Sequence, residues 1–171
     1  MLSLVAVEWL FALLVLIVFT NRYVFGSLLR LADPRTTPGF DRDPDVWPAV
    51  AIIVPVYNEG SHVRQTAASF DALDYPRDRL TAVFVDDCST DDTYDHLLAV
   101  TARYPWMHVV RNPRNMGKRL GIKNAVLRTN QELILSVDSD VIVDADSLKN
   151  LVRHMHTTGA DGVGGCVFVS N

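Results

Sequence analysis

Hydrophobic positions fall into three successive patterns along the chain. From Leu2 to Phe19 only Ser3 and Glu8 are polar, and Leu10–Phe19 is unbroken. As a helix that stretch would reach roughly 27 Å, close to the ~30 Å hydrocarbon core of a bilayer. The pattern predicts a transmembrane helix within residues 1–25. A signal peptide would instead begin with a basic segment and close on a small-residue cleavage site, and neither is present. Glu8 would cost about 2.5–3.5 kcal/mol at mid-membrane and less near a helix end. No Lys or Arg precedes the run, whereas Arg22, Arg30 and Arg35 follow it. That asymmetry predicts contact with plasma-membrane lipid through this helix and a cytoplasmic remainder.

Residues 26–48 read as a linker. Asp33-Pro34, Thr37-Pro38-Gly39, Asp43-Pro44-Asp45 and Trp47-Pro48 punctuate them, and proline at this density blocks regular structure. Residues 49–171 then alternate short apolar runs with helical spacing. Ala49–Val54, Leu80–Val85, Met107–Val110 and Glu132–Val137 are expected strands. Ser61–Leu73, Asp91–Tyr104, Lys118–Thr129 and Asp146–His156 are expected helices, and Asp161–Val169 is glycine-rich and then strand-like. This order predicts an α/β domain with an open, mostly parallel sheet and flanking helices.

Composition narrows the function. Apolar residues at 49% with charged residues at 21% exclude a disordered chain. Two cysteines exclude a disulfide scaffold, and on the cytoplasmic side Cys88 and Cys166 are expected as thiols. A net charge of −4 gives no basic surplus for nucleic acid.

Four polar segments follow the four expected strands: Pro55–Glu59, Asp86-Asp87, Asn112–Lys118 and Asp138–Asp140. In open α/β sheets ligands bind beyond the carboxyl ends of the strands. In an extended Asp138-Ser139-Asp140 both carboxylates would face one point. Two hard oxygen ligands suit Mg2+ or Mn2+ with substrate phosphates; the alternative is a solvated pair capping the next helix. Asp144 and Asp146 read as turn and N-cap residues. Asp86-Asp87 exceeds what capping by Ser89, Thr90 or Asp91 requires, and one of the pair could accept the imide N–H of uracil. Cys88 reads as a packed small residue. In Asn115-Met116-Gly117-Lys118-Arg119, Gly117 allows close backbone approach at a helix start. Lys118 and Arg119 add charge suited to a diphosphate. Neither a Walker loop nor G-x-G-x-x-G occurs.

Val54-Pro55-Val56-Tyr57-Asn58-Glu59, Val85–Asp91, Asn115–Arg119 and Val137-Asp138-Ser139-Asp140 occur in the order seen in family 2 glycosyltransferases. The chain resembles membrane-bound polysaccharide synthases: hyaluronan and chitin synthases and the chitooligosaccharide synthase of nodulating bacteria. The resemblance implies a GT-A fold, a UDP-sugar donor, a glycan acceptor, inverting transfer and Mg2+ or Mn2+. It places Pro55, Tyr57 and Glu59 at the substrate, with Tyr57 stacking near uracil. Asp87 would bond the base with Asp86 in support, and Lys118 and Arg119 would lie near the diphosphate. Asp138 would lie near the nucleotide-sugar and, with Asp140, on the metal, these two being the catalytic carboxylates. Where hyaluronan synthases resemble G-G-D-V, this chain has Gly164-Gly165-Cys166-Val167. The family's acceptor-site acid, its Q-x-x-R-W segment and later membrane helices are expected beyond Asn171. The chain therefore reads as the N-terminal, donor-binding part of such an enzyme, without the general base. Competing readings are a non-catalytic, membrane-tethered nucleotide-binding protein, a haloacid dehalogenase-type phosphatase using Asp138 as nucleophile, and a receiver-type module. The last two would carry their acidic residues after the first strand.

Overall fold

The computed structural model describes residues 4–20 and 42–165. The chain divides into two units, residues 1–41 and 42–171. In the first, α1 (Leu4–Phe19) is a 16-residue helix, about 24 Å long at 1.5 Å per residue. Its side chains from Trp9 to Phe19 are apolar throughout and exposed. No helix among the described residues is long and apolar enough to cross a membrane. Residues 1–3 and 21–25 of the expected span lie outside the described residues, as do residues 26–41 of the expected linker.

The second unit begins at residue 42, so the end of the expected linker belongs to this domain. Trp47 stacks edge-on against Tyr75, Arg153 and Lys149 lie over its indole, and Arg153 also pairs with Asp43. Among the described residues four strands form the sheet: β1 (Val50–Val56), β2 (Leu80–Asp86), β3 (Met107–Arg111) and β4 (Leu133–Ser136). All pairings are parallel, in the order β3-β2-β1-β4. The helices are α2 (Val63–Asp71), α3 (Thr93–Arg103), α4 (Lys118–Val126) and α5 (Ser147–Thr158).

The central β1 is buried on both faces, as its continuous apolar run requires. On one face Ile52, Val54 and Phe84 pack with Val63 and Phe70 of α2, Leu97 of α3 and Leu148 of α5. On the other, Ala51, Ile53 and Val85 pack with Ile122 and Ala125 of α4. Gly121 sets that closeness, since a Cβ there would meet Val85 Cγ1 at 3.3 Å. The face occupied by each helix follows from right-handed crossovers. From β1 to β2 to β3 the chain steps outward in one direction, so α2 and α3 share a face. Returning past β1 to β4 reverses the direction and puts α4 on the other face. The strand order therefore reverses between β1 and β4, and a crevice opens there at their carboxyl ends.

Candidate functional site

A cavity of about 270 Å³ lies at that reversal. The end of β1 contributes Pro55, Tyr57 and Glu59; Asp87 comes from beyond β2, Lys118 from the start of α4, and Asp138, Ser139 and Asp140 from beyond β4. Two expected site residues do not line it. Asp86 is fully buried beneath the strand ends, and Arg119 is exposed away from the cavity.

Pro55 lies inside β1 rather than after it. Ile53 accepts the Val137 N–H at 3.1 Å, ending the β1–β4 ladder. The next bond on that side would need an N–H from residue 55, which proline lacks. Towards β2 the ladder continues to Val56 and Asp86. Pro55 thus lets β4 part from β1 where the cavity begins.

The following loop is tied to the loop after β2. Asn58 N–H donates to Ser89 Oγ at 3.0 Å, and Asn58 Oδ1 accepts Thr90 N–H at 2.9 Å. Glu59 and Gly60 N–H both donate to Thr93 Oγ1, at 2.9 and 2.7 Å. Asn58 and Cys88 have φ of 53° and 65°, a region that costs a side-chain-bearing residue about 1–2 kcal/mol. Both lie in these cross-tied loops, where surrounding bonds hold such strain. Cys88 is half-buried and free; Cys166 lies outside the described residues. Tyr57, by contrast, is 45% exposed and lines the cavity.

The acidic pair divides by burial. Asp86 Oδ1 accepts Ser89 N–H, and Arg111 Nε lies 3.1 Å from Oδ2 in an ion pair without hydrogen-bond alignment. Asp87 is 6% exposed. Its Oδ1 accepts Asn112 Nδ2 at 2.8 Å and Met116 N–H at 2.9 Å, and its Oδ2 accepts Gly117 N–H at 2.7 Å. Burial pushes the Asp87 carboxyl up, but those hydrogen bonds outweigh it and hold the group below the usual aspartate range. Gly117, at φ 82°, turns its N–H back to Asp87, so the approach to α4 presents its side chains rather than that amide to the cavity.

Asp138-Ser139-Asp140 is a turn, not the extended segment expected. The strand has ended at Ser136, and Val141 N–H closes back on Asp138 O at 3.2 Å. Ser139 points inward, its Oγ donating to Glu59 Oε1 at 2.9 Å, while the flanking carboxylates are exposed. Lys118 Nζ lies 2.6 Å from Asp138 Oδ1, both side chains being 56% exposed. The donor set, two exposed carboxylates on one turn, suits a divalent cation completed by substrate phosphates. No cluster of three or more His, Cys, Asp or Glu able to hold a metal by itself occurs among the described residues. Asp144 sits in a turn, its O accepting Ser147 N–H. Asp146 occupies the N-cap position of α5 without a side-chain capping bond.

Thr66, Ser69, Thr93 and Arg111 also hold these loops, and none of them was among the residues singled out from the sequence. The available signal was small polar residues on apolar helix faces, such as Thr66 between Val63 and Phe70. A larger cavity of about 580 Å³ lies over β2, β3 and α4, floored by Val83, Val85 and Val110 and rimmed by His108, Asn124 and Arg128. It has no carboxylate and holds none of the expected site residues.

The family described as Glycosyl transferase family 2 matches residues 51–171. An N-acetylglucosaminyltransferase of Azorhizobium caulinodans is 33% identical over 174 residues, covering 99% of this chain and 43% of that protein. The cellulose synthase catalytic subunit (UDP-forming) of Pseudomonas fluorescens is 33% identical, over 81% of this chain and 17% of its own length. The chain thus spans less than half of these curated relatives. Among solved structures, a mannosyltransferase from Pyrobaculum calidifontis in complex with GDP-Man and Mn2+ superposes with a TM-score of 0.67. It is 28% identical, over 81% of this chain and 42% of that one. The S. aureus protein TarS in complex with UDP-GlcNAc superposes at 0.59 with 24% identity, over 70% of this chain and 37% of that one. The parallel sheet with flanking helices is GT-A-like.

Proposed function

We propose, from the premise that this chain belongs to glycosyl transferase family 2, that residues 49–171 form the donor-binding part of an inverting hexosyltransferase. Its donor is a UDP-sugar and its acceptor a growing glycan. The observation that carries this is the convergence of Tyr57, Asp87, Lys118, Asp138 and Asp140 on one cavity at the strand reversal.

Each side chain has a part that its surroundings support. The exposed Tyr57 ring offers a stacking face to uracil. Asp87 Oδ2 accepts one N–H and retains capacity for the imide N–H of the base. Lys118, in reach of Asp138, is free to turn to a diphosphate, because a pair this exposed is weakly held. Asp138 and Asp140 would hold Mg2+ or Mn2+. When bound, such an ion supplies positive charge against that collecting on the departing diphosphate. Lys118 adds to the same stabilisation. Glu59 bonds Ser139 and acts on the turn rather than on the sugar. Among the described residues lining the cavity no carboxylate is left for the acceptor proton, since Asp87 and Glu59 are engaged and the other two face the nucleotide-sugar. Binding of the donor is the property these residues support. Residues 1–25 would anchor it to the plasma membrane with the domain cytoplasmic, supported by the apolar run and the arginines after it.

Calorimetric titration of the chain with UDP and with GDP, with and without Mn2+, tests the proposal. UDP should bind more tightly than GDP, and more tightly again with Mn2+. Relatives named N-acetylglucosaminyltransferase make UDP-N-acetylglucosamine the first sugar donor to try. Equal affinity for GDP would refute the selection of uracil, and no effect of Mn2+ or Mg2+ would refute the cation's place.

A further inference from the structure

We propose that Thr66 is a positioning residue, through which α2 orients the Asp138–Val141 turn and sets the cleft's affinity for a divalent cation. The inference rests on the donor-site reading above.

Thr66 and Ser69 lie on the buried side of α2, 1% and 7% exposed, beside Val63, Ala67 and Phe70. A threonine within a helix usually bonds back to the carbonyl one turn earlier. Here the Thr66 hydroxyl donates instead to Ser139 O, at 2.6 Å and 73 residues along the chain. Ser69 Oγ accepts Val143 N–H at 3.2 Å while donating to Thr66 O at 2.7 Å. The helix thus grips the segment after β4 at two points, one inside the carboxylate turn and one just beyond it.

The grip reaches the carboxylates through the backbone. Because a peptide unit is planar, fixing the Ser139 carbonyl fixes the plane joining Ser139 to Asp140. Glu59 holds the Ser139 hydroxyl from the other side. Ser139 is thereby locked inward, and its exposed neighbours Asp138 and Asp140 take their directions from it. Packing alone does not call for a hydroxyl at position 66, where valine has the same shape. Partners that orient metal-binding groups typically change metal affinity 10–100-fold when removed.

The test compares wild type, Thr66→Val and Thr66→Ser as full chains in mild detergent. Mn2+ binding in the presence of UDP is read from the electron paramagnetic resonance of free Mn2+. UDP affinity is read separately in EDTA. Thr66→Val should bind Mn2+ about 10–100-fold more weakly while its UDP affinity in EDTA is unchanged. Thr66→Ser, which keeps the donor, should recover most of the loss. Wild-type Mn2+ affinity in Thr66→Val overturns the proposal, as does an equal fall in UDP affinity in EDTA, which would mark general loosening. Should Thr66→Val fail to fold, Ser69→Ala, which frees Val143, takes its place: weaker Mn2+ binding with unchanged UDP affinity supports the grip, and unchanged Mn2+ binding overturns it. Wild type that takes up no Mn2+ overturns the donor-site reading itself, and so separates that failure from a failure of the clamp.

Discussion

Replacing Asp87 by alanine removes the acceptor for three N–H donors at once. Asn112 Nδ2 belongs to a buried residue, 7% exposed, and leaving such a donor unpaired costs about 1–3 kcal/mol. Met116 and Gly117 lie nearer solvent, where water can replace the carboxylate, so each adds only about 0.5–1 kcal/mol. Asp87→Ala should therefore destabilise the domain by about 3 kcal/mol, lowering its melting temperature by about 6–12 °C. The loss should depend on pH in one direction. The folded carboxyl titrates below its unfolded value of about 3.9. Its contribution is fully present above that value and disappears as pH falls through the folded pKa. Thermal melts of wild type and variant should differ by a constant amount from pH 7 to about pH 5 and begin to draw together below about pH 4. Asp87→Asn, which keeps one oxygen but sets an amide against Gly117 N–H, should fall between them. A variant melting with wild type at pH 7, or a gap that persists undiminished into acid, would refute the account of this carboxylate. Because the same bonds hold the loop that carries Lys118, nucleotide affinity should fall too, and the ratio of UDP to GDP affinity is what separates base recognition from loop support.

The other expectations address the exposed groups. Asp140→Asn should remove the Mn2+ dependence of UDP binding while leaving weak UDP affinity, and a calorimetric titration still enhanced by Mn2+ would contradict the role given to Asp140. Lys118→Met should change stability by less than about 1 kcal/mol, since both partners of its pair are 56% exposed. The same variant should tighten Mn2+ binding without nucleotide, by freeing Asp138, and weaken UDP binding; loss of both affinities would be evidence against it. The full chain should sediment with membranes and need detergent for release, whereas recovery in the soluble fraction would argue against an anchor in residues 1–25. Purified chain should bind UDP-sugar yet build no oligosaccharide, and turnover at about 1 per second or faster would show a complete catalytic apparatus within it.

Most of the sheet is legible in the sequence because buried parallel strands are continuous apolar runs between helical spacings. Helix starts are less so. Asp146 stands at the start of α5 but its carboxylate makes no cap, and Thr93 N–H is met by Asp91, one residue before the N-cap position. Pro55 shows why a strand end resists local rules: proline reads as a break, yet only the β4 side needed its N–H, so β1 runs on beside β2. The site was legible as four polar segments at one sheet edge. Which member of the acidic pair is buried was not, because Asp86 meets Arg111 through the β2–β3 register, which pairs those positions across the strands. Likewise, the turn at Ser139 depends on Thr66 and Glu59, each more than seventy residues away.

The polar residues lining the cleft and beneath it thus form two populations with different work. Asp86, Asp87, Ser89, Thr93 and Ser139 are buried, with hydrogen bonds to backbone or side chains of neighbouring segments. Tyr57, Lys118, Asp138 and Asp140 are exposed, and the one ion pair among them is a solvated pair that water and salt weaken. A buried polar group left unpaired is costly, so the first population resists substitution whether or not a ligand is present. The second contributes little to folding and is free to exchange partners when a charged ligand enters. Substitutions in the two sets should therefore separate on a plot of melting temperature against UDP affinity. The residues expected to move along both axes are Asp87 and Ser139, because each is buried and hydrogen-bonded to other segments and still borders the cavity.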